Sequence, residues 1–282
     1  HSMKRTAVGS TFAVITILLA TGPLRAQQPS YASQVLPIDS QVTVGTLDNG
    51  LHYLIRVNRR PEARAELRLV VKAGSVLEDD DQLGLAHFVE HMAFNGTEHF
   101  AKQELVDYME SIGMRLGPHV NAYTSFDETV YMLTIPTDTA EVVAKAFQVL
   151  EDWAHLQSFD ADEIEKERGV VVEEWRLGRG AGARMLDKQF PIIFRDSRYA
   201  DRLPIGKKET LETFDHTVLK RFYADWYRPD LMAVIAVGDF DSAEIEELIK
   251  RHFSRLVAPG NPRPREMYDV PDHEETLFAI AS

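Results

Sequence analysis

Gly84-Leu85-Ala86-His87-Phe88-Val89-Glu90-His91-Met92-Ala93-Phe94-Asn95-Gly96-Thr97 is the stretch on which the reading of this chain turns. Gly84–Ala93 is short and apolar around its histidines, and it predicts a helix. At 100° per residue, His91 lies about 40° and Glu90 about 60° from His87, on opposite sides of it. The three side chains therefore share one face. Two imidazoles one turn apart can reach a single cation and leave Glu90 beside its open position.

Such a trio also arises by coincidence on a helix surface, so the motif needs a third ligand. The chain has no cysteine, which leaves histidine and carboxylate to hold any metal. In the helix predicted over Asp160–Leu177, Ile164, Val171 and Trp175 form one apolar stripe. Taking Val171 as zero, Glu174 falls near −60° and Glu167 near −40°, whereas Glu173 falls near −160° and points to solvent. A carboxylate directed toward a core must be paired, protonated or metal-bound. Glu174 as third ligand with Glu167 supporting it is one reading. Both side chains reaching out to water from the margin of the stripe is the other.

Working outward, Val42–Leu47 and Leu51–Val57 flank Asp48-Asn49-Gly50 and predict a hairpin. Glu66–Lys72 is a third strand, and Lys102–Ile112 has helical spacing. Val120–Thr124 and Thr129–Ile135 alternate as strands. Helices follow over Thr139–Leu156, Asp160–Leu177 and Thr213–Trp226. Leu231–Val237 is an apolar run suited to a buried strand, and Asp241-Ser242-Ala243-Glu244 opens a capped helix that ends at Phe253. Strands first and helices after predict an α+β fold, a mostly antiparallel sheet packed against helices. Gly178–Met185 is glycine-rich without the flanks of a phosphate loop, and predicts a flexible connector. Asp79-Asp80-Asp81 reads as a solvated turn ahead of the histidine helix, with calcium binding the other option. His99, His119, His155, His216, His252 and His273 are isolated and read as surface or capping residues.

The 282 residues are 44% hydrophobic, enough for one large domain or two small ones. A net charge of −13 argues against a nucleic-acid or anionic-membrane partner. His1-Ser2 reads as an expression scar. Lys4-Arg5, the apolar run Thr11–Ala20 and Leu24-Arg25-Ala26 read as a secretory signal removed after Ala26, which makes residues 1–26 a scar plus leader. The run is short of the roughly 20 residues of a spanning helix, so no membrane segment is expected after removal. Residues 27–36 read as a linker and 37–257 as the main domain. Residues 258–272, with four prolines, read as a second linker. Residues 273–282 read as the first strand of a further domain.

Three segments, GLAHFVEHMAFNGT (84–97), NAYTSFDETVY (121–131) and ERGVVVEEW (167–175), resemble the zinc-peptidase half of the pitrilysin/insulinase family, of the exported bacterial type. The first contains the inverted form of the zinc-peptidase helix motif. The resemblance spans roughly Pro37 to Leu256. It implies a two-layer sandwich of the pitrilysin and mitochondrial processing peptidase type, in a periplasmic protein. It further implies one Zn²⁺ per chain held by His87, His91 and Glu174, with Glu90 as general base and Glu167 as the auxiliary glutamate. His91 and Glu174 are 174 − 91 = 83 positions apart, which assigns a lengthened connection near 155–162.

Such a ligand set keeps one position for water, whose pKa the ion brings from 15.7 down toward about 7. Glu90 would take that water's proton and pass it to the leaving amine. The resemblance also makes Asn121-Ala122-Tyr123-Thr124 a sheet edge that adds a peptide substrate as an extra strand. Asn121 would add a side-chain contact, and Phe94 would line a pocket beside the metal, core packing being the plain alternative for Phe94 and Tyr123. Family members enclose substrate between two homologous halves, so a second domain or partner subunit would close the site. A non-catalytic peptide-binding module of the same fold is the alternative function.

Overall fold

The computed structural model describes residues 36–102 and 104–280; the expected leader and nearly all of the 27–36 linker lie outside them. β1 (Val42–Thr46) and β2 (His52–Val57) form the expected antiparallel hairpin. Its turn needs Gly50, whose φ of +93° is costly for residues with a Cβ. The Asn49 amide donates to the carbonyls of Phe253 and Leu256 at 2.8 and 3.0 Å, tying the turn to the end of the last helix.

β3 (Arg64–Val71), β4 (Val120–Thr124), β5 (Thr129–Pro136) and β6 (Met232–Gly238) complete a six-stranded sheet in the order β1-β2-β6-β3-β5-β4. Only β2 and β6 run parallel. The apolar run of β6 suits its central position, paired on both sides. β3 alternates buried Leu67, Leu69 and Val71 with exposed Glu66 and Arg68, so this part of the sheet buries one face. α3 (Ala140–His155) and α8 (Ser242–Phe253) cover it with Phe147, Leu150, Ile245, Ile249 and Phe253. This is the expected α+β two-layer arrangement.

The remaining helices are α1 (Leu85–Met92), α2 (Glu104–Ser111), α4 (Ala161–Leu177), α5 (Ala181–Ile193), α6 (Lys208–Thr213) and α7 (His216–Trp226). Two sequence expectations give way here. The helix α5 begins inside the glycine-rich stretch expected to be a connector, so only residues 178–180 are linker. Its Phe190 and Phe194 rings pack on Phe126, at 6.4 and 5.8 Å between centroids, and supply the anchor that glycine spacing hides. The helix expected over Thr213–Trp226 starts later, because Asp215 caps α7 by accepting from the Thr217 N–H at 2.8 Å. In the connection near 155–162, residues 156–160 join α3 to α4 and are stitched to residues 96–98. The 83-position interval holds α2, β4, β5, all of α3 and the first part of α4.

The Pro-rich segment 258–272 carries no helix or strand but is pinned to the domain. Arg263 donates two parallel hydrogen bonds to the Asp79 carboxylate at 2.9 and 3.0 Å and also reaches Asp225, while Arg265 reaches Asp127. Asp80 and Asp81 are bound by Arg202 and Arg221. The acidic run is thus an exposed turn, as expected, and arginine side chains hold it in place. Residues 273–280 form no strand.

Candidate metal centre

α1 has no side-chain cap of its own; its N-terminus, at Gly84, is closed by a buried carboxyl six residues upstream. Glu78 accepts the Gly84 N–H at 3.0 Å and the Ala86 N–H at 2.8 Å. Burial pushes this carboxyl up, to about 8, against the pull of those N–H groups and of Arg202. Phe88, Val89 and Met92 are buried in the core, which turns His87, Glu90 and His91 toward a cleft of about 500 Å³. Ala122–Thr124 of β4 line one side of it, and Pro204 and Ile205 also contribute. The 203–206 loop is fixed to the start of α1: a Cβ on Gly206, whose φ is +72°, would lie 2.3 Å from the Gly84 Cα.

Three donor atoms converge in this cleft. The Nε2 atoms of His87 and His91 lie 3.1 Å apart. Glu174 Oε2 lies 3.4 Å from the His91 nitrogen and 3.8 Å from that of His87. Tetrahedral zinc with bonds of about 2.0–2.2 Å separates its donors by about 3.3–3.5 Å. The donor set therefore fits zinc in both chemistry and spacing, and it is the one such cluster found among the described residues. Burial pulls His87 down to about 4, so its ring is neutral as a ligand requires.

His91 is held from behind. Its Nδ1 lies 2.7 Å from Glu167 Oε1. Burial works to lower this imidazole, but the Glu167 hydrogen bond and the surrounding carboxylates lift it above the usual histidine range. Glu90 Oε2 accepts from the Thr124 hydroxyl at 2.6 Å. Burial raises the Glu90 carboxyl, with the Thr124 bond opposing it, and brings it nearer the range of a working base. Glu173 points away and pairs with Arg176 at 2.6 Å, as the helical wheel required. Exposure would not have separated the two glutamates, since both side chains are 49% exposed.

Of the expected peptide-contacting residues, Asn121, Ala122 and Tyr123 lie on β4, an edge strand of the sheet. Ala122 and Tyr123 line the cleft. Asn121 turns its side-chain oxygen onto the Ala122 N–H, and the Tyr123 hydroxyl donates to Glu128. Phe94 instead packs on Trp153 and lines a small crevice with Leu105 and Met109, outside the metal cleft. Sequence reasoning missed three contributors: Thr124, which reaches Glu90; Glu78, which caps α1; and Asn95, whose amide bonds Glu167. Thr124 belongs to the strand expected to take peptide and Asn95 to the stretch around the histidines, but spacing alone reveals neither contact.

Comparison with known proteins gives the family. The family model described as insulinase, peptidase family M16, matches residues 53–177, and that of the M16 inactive domain matches residues 213–279. The chain is 43% identical over 236 residues to a zinc protease PQQL-like protein of Arabidopsis thaliana, covering 83% of this chain and 25% of that one. It is 41% identical over 223 residues to the probable zinc protease PqqL of Escherichia coli, covering 79% and 24% respectively. The crystal structure of the first half of the periplasmic protease PqqL from Escherichia coli superposes with a TM-score of 0.79 at 39% identity, covering 86% of this chain and 51% of that one. The chain thus spans about a quarter of the length of the curated relatives it matches. With both family models and these relatives in agreement, the chain belongs to the insulinase family of peptidases, M16.

Proposed function

We propose that this chain is the metal-binding part of an exported, periplasmic zinc endopeptidase that hydrolyses peptides or unfolded polypeptides. The observation that carries the reading is the convergence of His87, His91 and Glu174 with a buried Glu90 beside them. His87 and His91 would hold one Zn²⁺ through Nε2 and Glu174 through Oε2, leaving a fourth position open. Zinc bound there supplies Lewis acidity, polarising the scissile carbonyl and acidifying the attacking water.

The chain's own residues do the rest. Glu90 takes the proton of the attacking water and delivers it to the leaving amine, its other role being none as a ligand. Thr124 keeps the Glu90 carboxyl turned toward the cleft. Glu167 holds the His91 ring in the orientation that aims Nε2 at the metal. The free edge of β4 takes an extended peptide by main-chain pairing, which explains affinity without a strict sequence requirement. Asn121, Ala122 and Tyr123 would line that strand.

Residues 1–26 would be scar and leader, 27–36 a linker, 37–257 the catalytic domain and 258–272 a linker to a domain begun at 273–282. A second homologous domain or a partner subunit would close the cleft over the substrate. The match to an inactive-domain model and the quarter-length coverage of relatives support that requirement.

The test is zinc stoichiometry together with cleavage of a quenched peptide, with and without chelator, in this chain and in the chain joined to its C-terminal continuation. Glu90→Gln should retain one zinc and lose about 10²–10⁴-fold in rate. Full turnover in Glu90→Gln, or no zinc bound by the unsubstituted protein, overturns the proposal.

A further inference from the structure

The two imidazoles of the cleft are not supported alike. The His87 Nδ1 atom is buried with no hydrogen-bond partner among the described residues. His91 has a chain of support that runs through two further side chains. Its Nδ1 meets Glu167 Oε1 at 2.7 Å, and the other oxygen of Glu167 accepts from the Asn95 amide at 2.9 Å. The same amide nitrogen donates its second hydrogen to the main-chain carbonyl of His91 at 3.1 Å. Both hydrogens of the amide and both oxygens of the carboxyl are thereby engaged, and the Glu167 and His91 side chains are largely buried.

We infer that Asn95 is a positioning residue for zinc binding: by locking the second oxygen of Glu167 it fixes the tautomer and ring angle of His91. The reasoning is geometric. Glu167 arrives from α4 and must cross to a histidine on α1, and one hydrogen bond would leave the carboxyl free to swing about its terminal torsion. The bond to Asn95 removes that freedom. Asn95 is itself tethered to the turn that ends α1, so the lock moves with His91. With Glu167 held, the imidazole proton stays on Nδ1 and the Nε2 lone pair faces the cleft. Groups behind a metal ligand of this kind typically set metal affinity by 10–100-fold.

The affinity part of this inference rests on the zinc reading above; the tautomer part does not. Two measurements therefore separate them. In metal-free, ¹⁵N-histidine-labelled protein at a pH where the rings are neutral, His91 should show the Nδ1-protonated signature. Asn95→Ala should move its two nitrogens toward averaged values. In zinc competition against a chromogenic chelator, Asn95→Ala should bind about 10–100-fold more weakly at an unchanged melting temperature. Asn95→Asp keeps the shape, removes the donor and sets a carboxyl against Glu167, so it should weaken zinc at least as much. It decides the matter if the alanine variant does not fold. Affinity within twofold of the unsubstituted protein together with unchanged His91 resonances overturns the inference. If the unsubstituted protein binds no zinc, the function proposal fails and the His91 resonances alone decide this one.

Discussion

α1 and α4 both deliver donors to the cleft, but they are built in opposite ways. α1 has eight residues, of which six are buried, and a buried carboxyl closes its N-terminus. α4 has seventeen residues, of which only Ile164 and Val171 are buried. Its middle is fastened by Arg168, which bonds the carbonyls of Leu211 and Phe214 and lies 3.9 Å over the Phe214 ring. Beyond Val171 the helix runs out into solvent, carrying Glu174 with it. Two donors are thus set by the core and the third by an exposed arm. A site built this way places its histidines by folding and its carboxylate by small adjustments of one helix end.

The contrast can be broken most sharply at Phe88, which is fully buried and packs edge-on against Phe214 at 4.9 Å. Phe88→Ala should cost about 3–5 kcal/mol in denaturant unfolding. A cost below about 1 kcal/mol would mean that α1 is not the rigid member of the pair. On α4, Val170 is 52% exposed, and Val170→Ser should change stability by no more than about 0.5 kcal/mol. A larger loss would show that this face of α4 is covered in solution by something else.

Between these extremes lies the cap of α1. The Glu78 carboxyl is raised by burial from its ordinary value of 4.5 to about 8, so between those pH values the folded protein binds a proton that the unfolded chain has released. Stability should therefore fall as pH rises from about 4.5 to 8 and level off above it. Glu78→Gln, a neutral analogue, should remove that slope while keeping an acceptor for the helix N–H groups. Identical slopes in the two proteins, measured by denaturant melts across pH 5–9, would show that Glu78 does not titrate in this window.

The sequence carried the architecture where local pattern and final environment agree. The alternation of β4 and β5, the capped start of α8 and the histidine face of α1 are all readable from neighbours in the chain. Glu174 was preferred to Glu173 on helical phase alone, and the structure brings Glu174 to the histidines. What stayed hidden depends on partners far away in sequence. Asn95 meets Glu167 across 72 positions, and Thr124 meets Glu90 across 34. The insertion of β6 between β2 and β3 is likewise a tertiary event that no window reveals. α5 reads as a connector because Gly178, Gly180 and Gly182 crowd its start, while the aromatic residues that anchor it come near its end.

Gly84 and Gly206 cross where the 203–206 loop meets the start of α1. Neither position admits a side chain: both have positive φ, and each backbone fills the space a Cβ on the other would need. The crossing thus sets how far the Pro204–Ile205 wall stands from the start of α1, and a Cβ at Gly206 would push that wall away from the histidine helix.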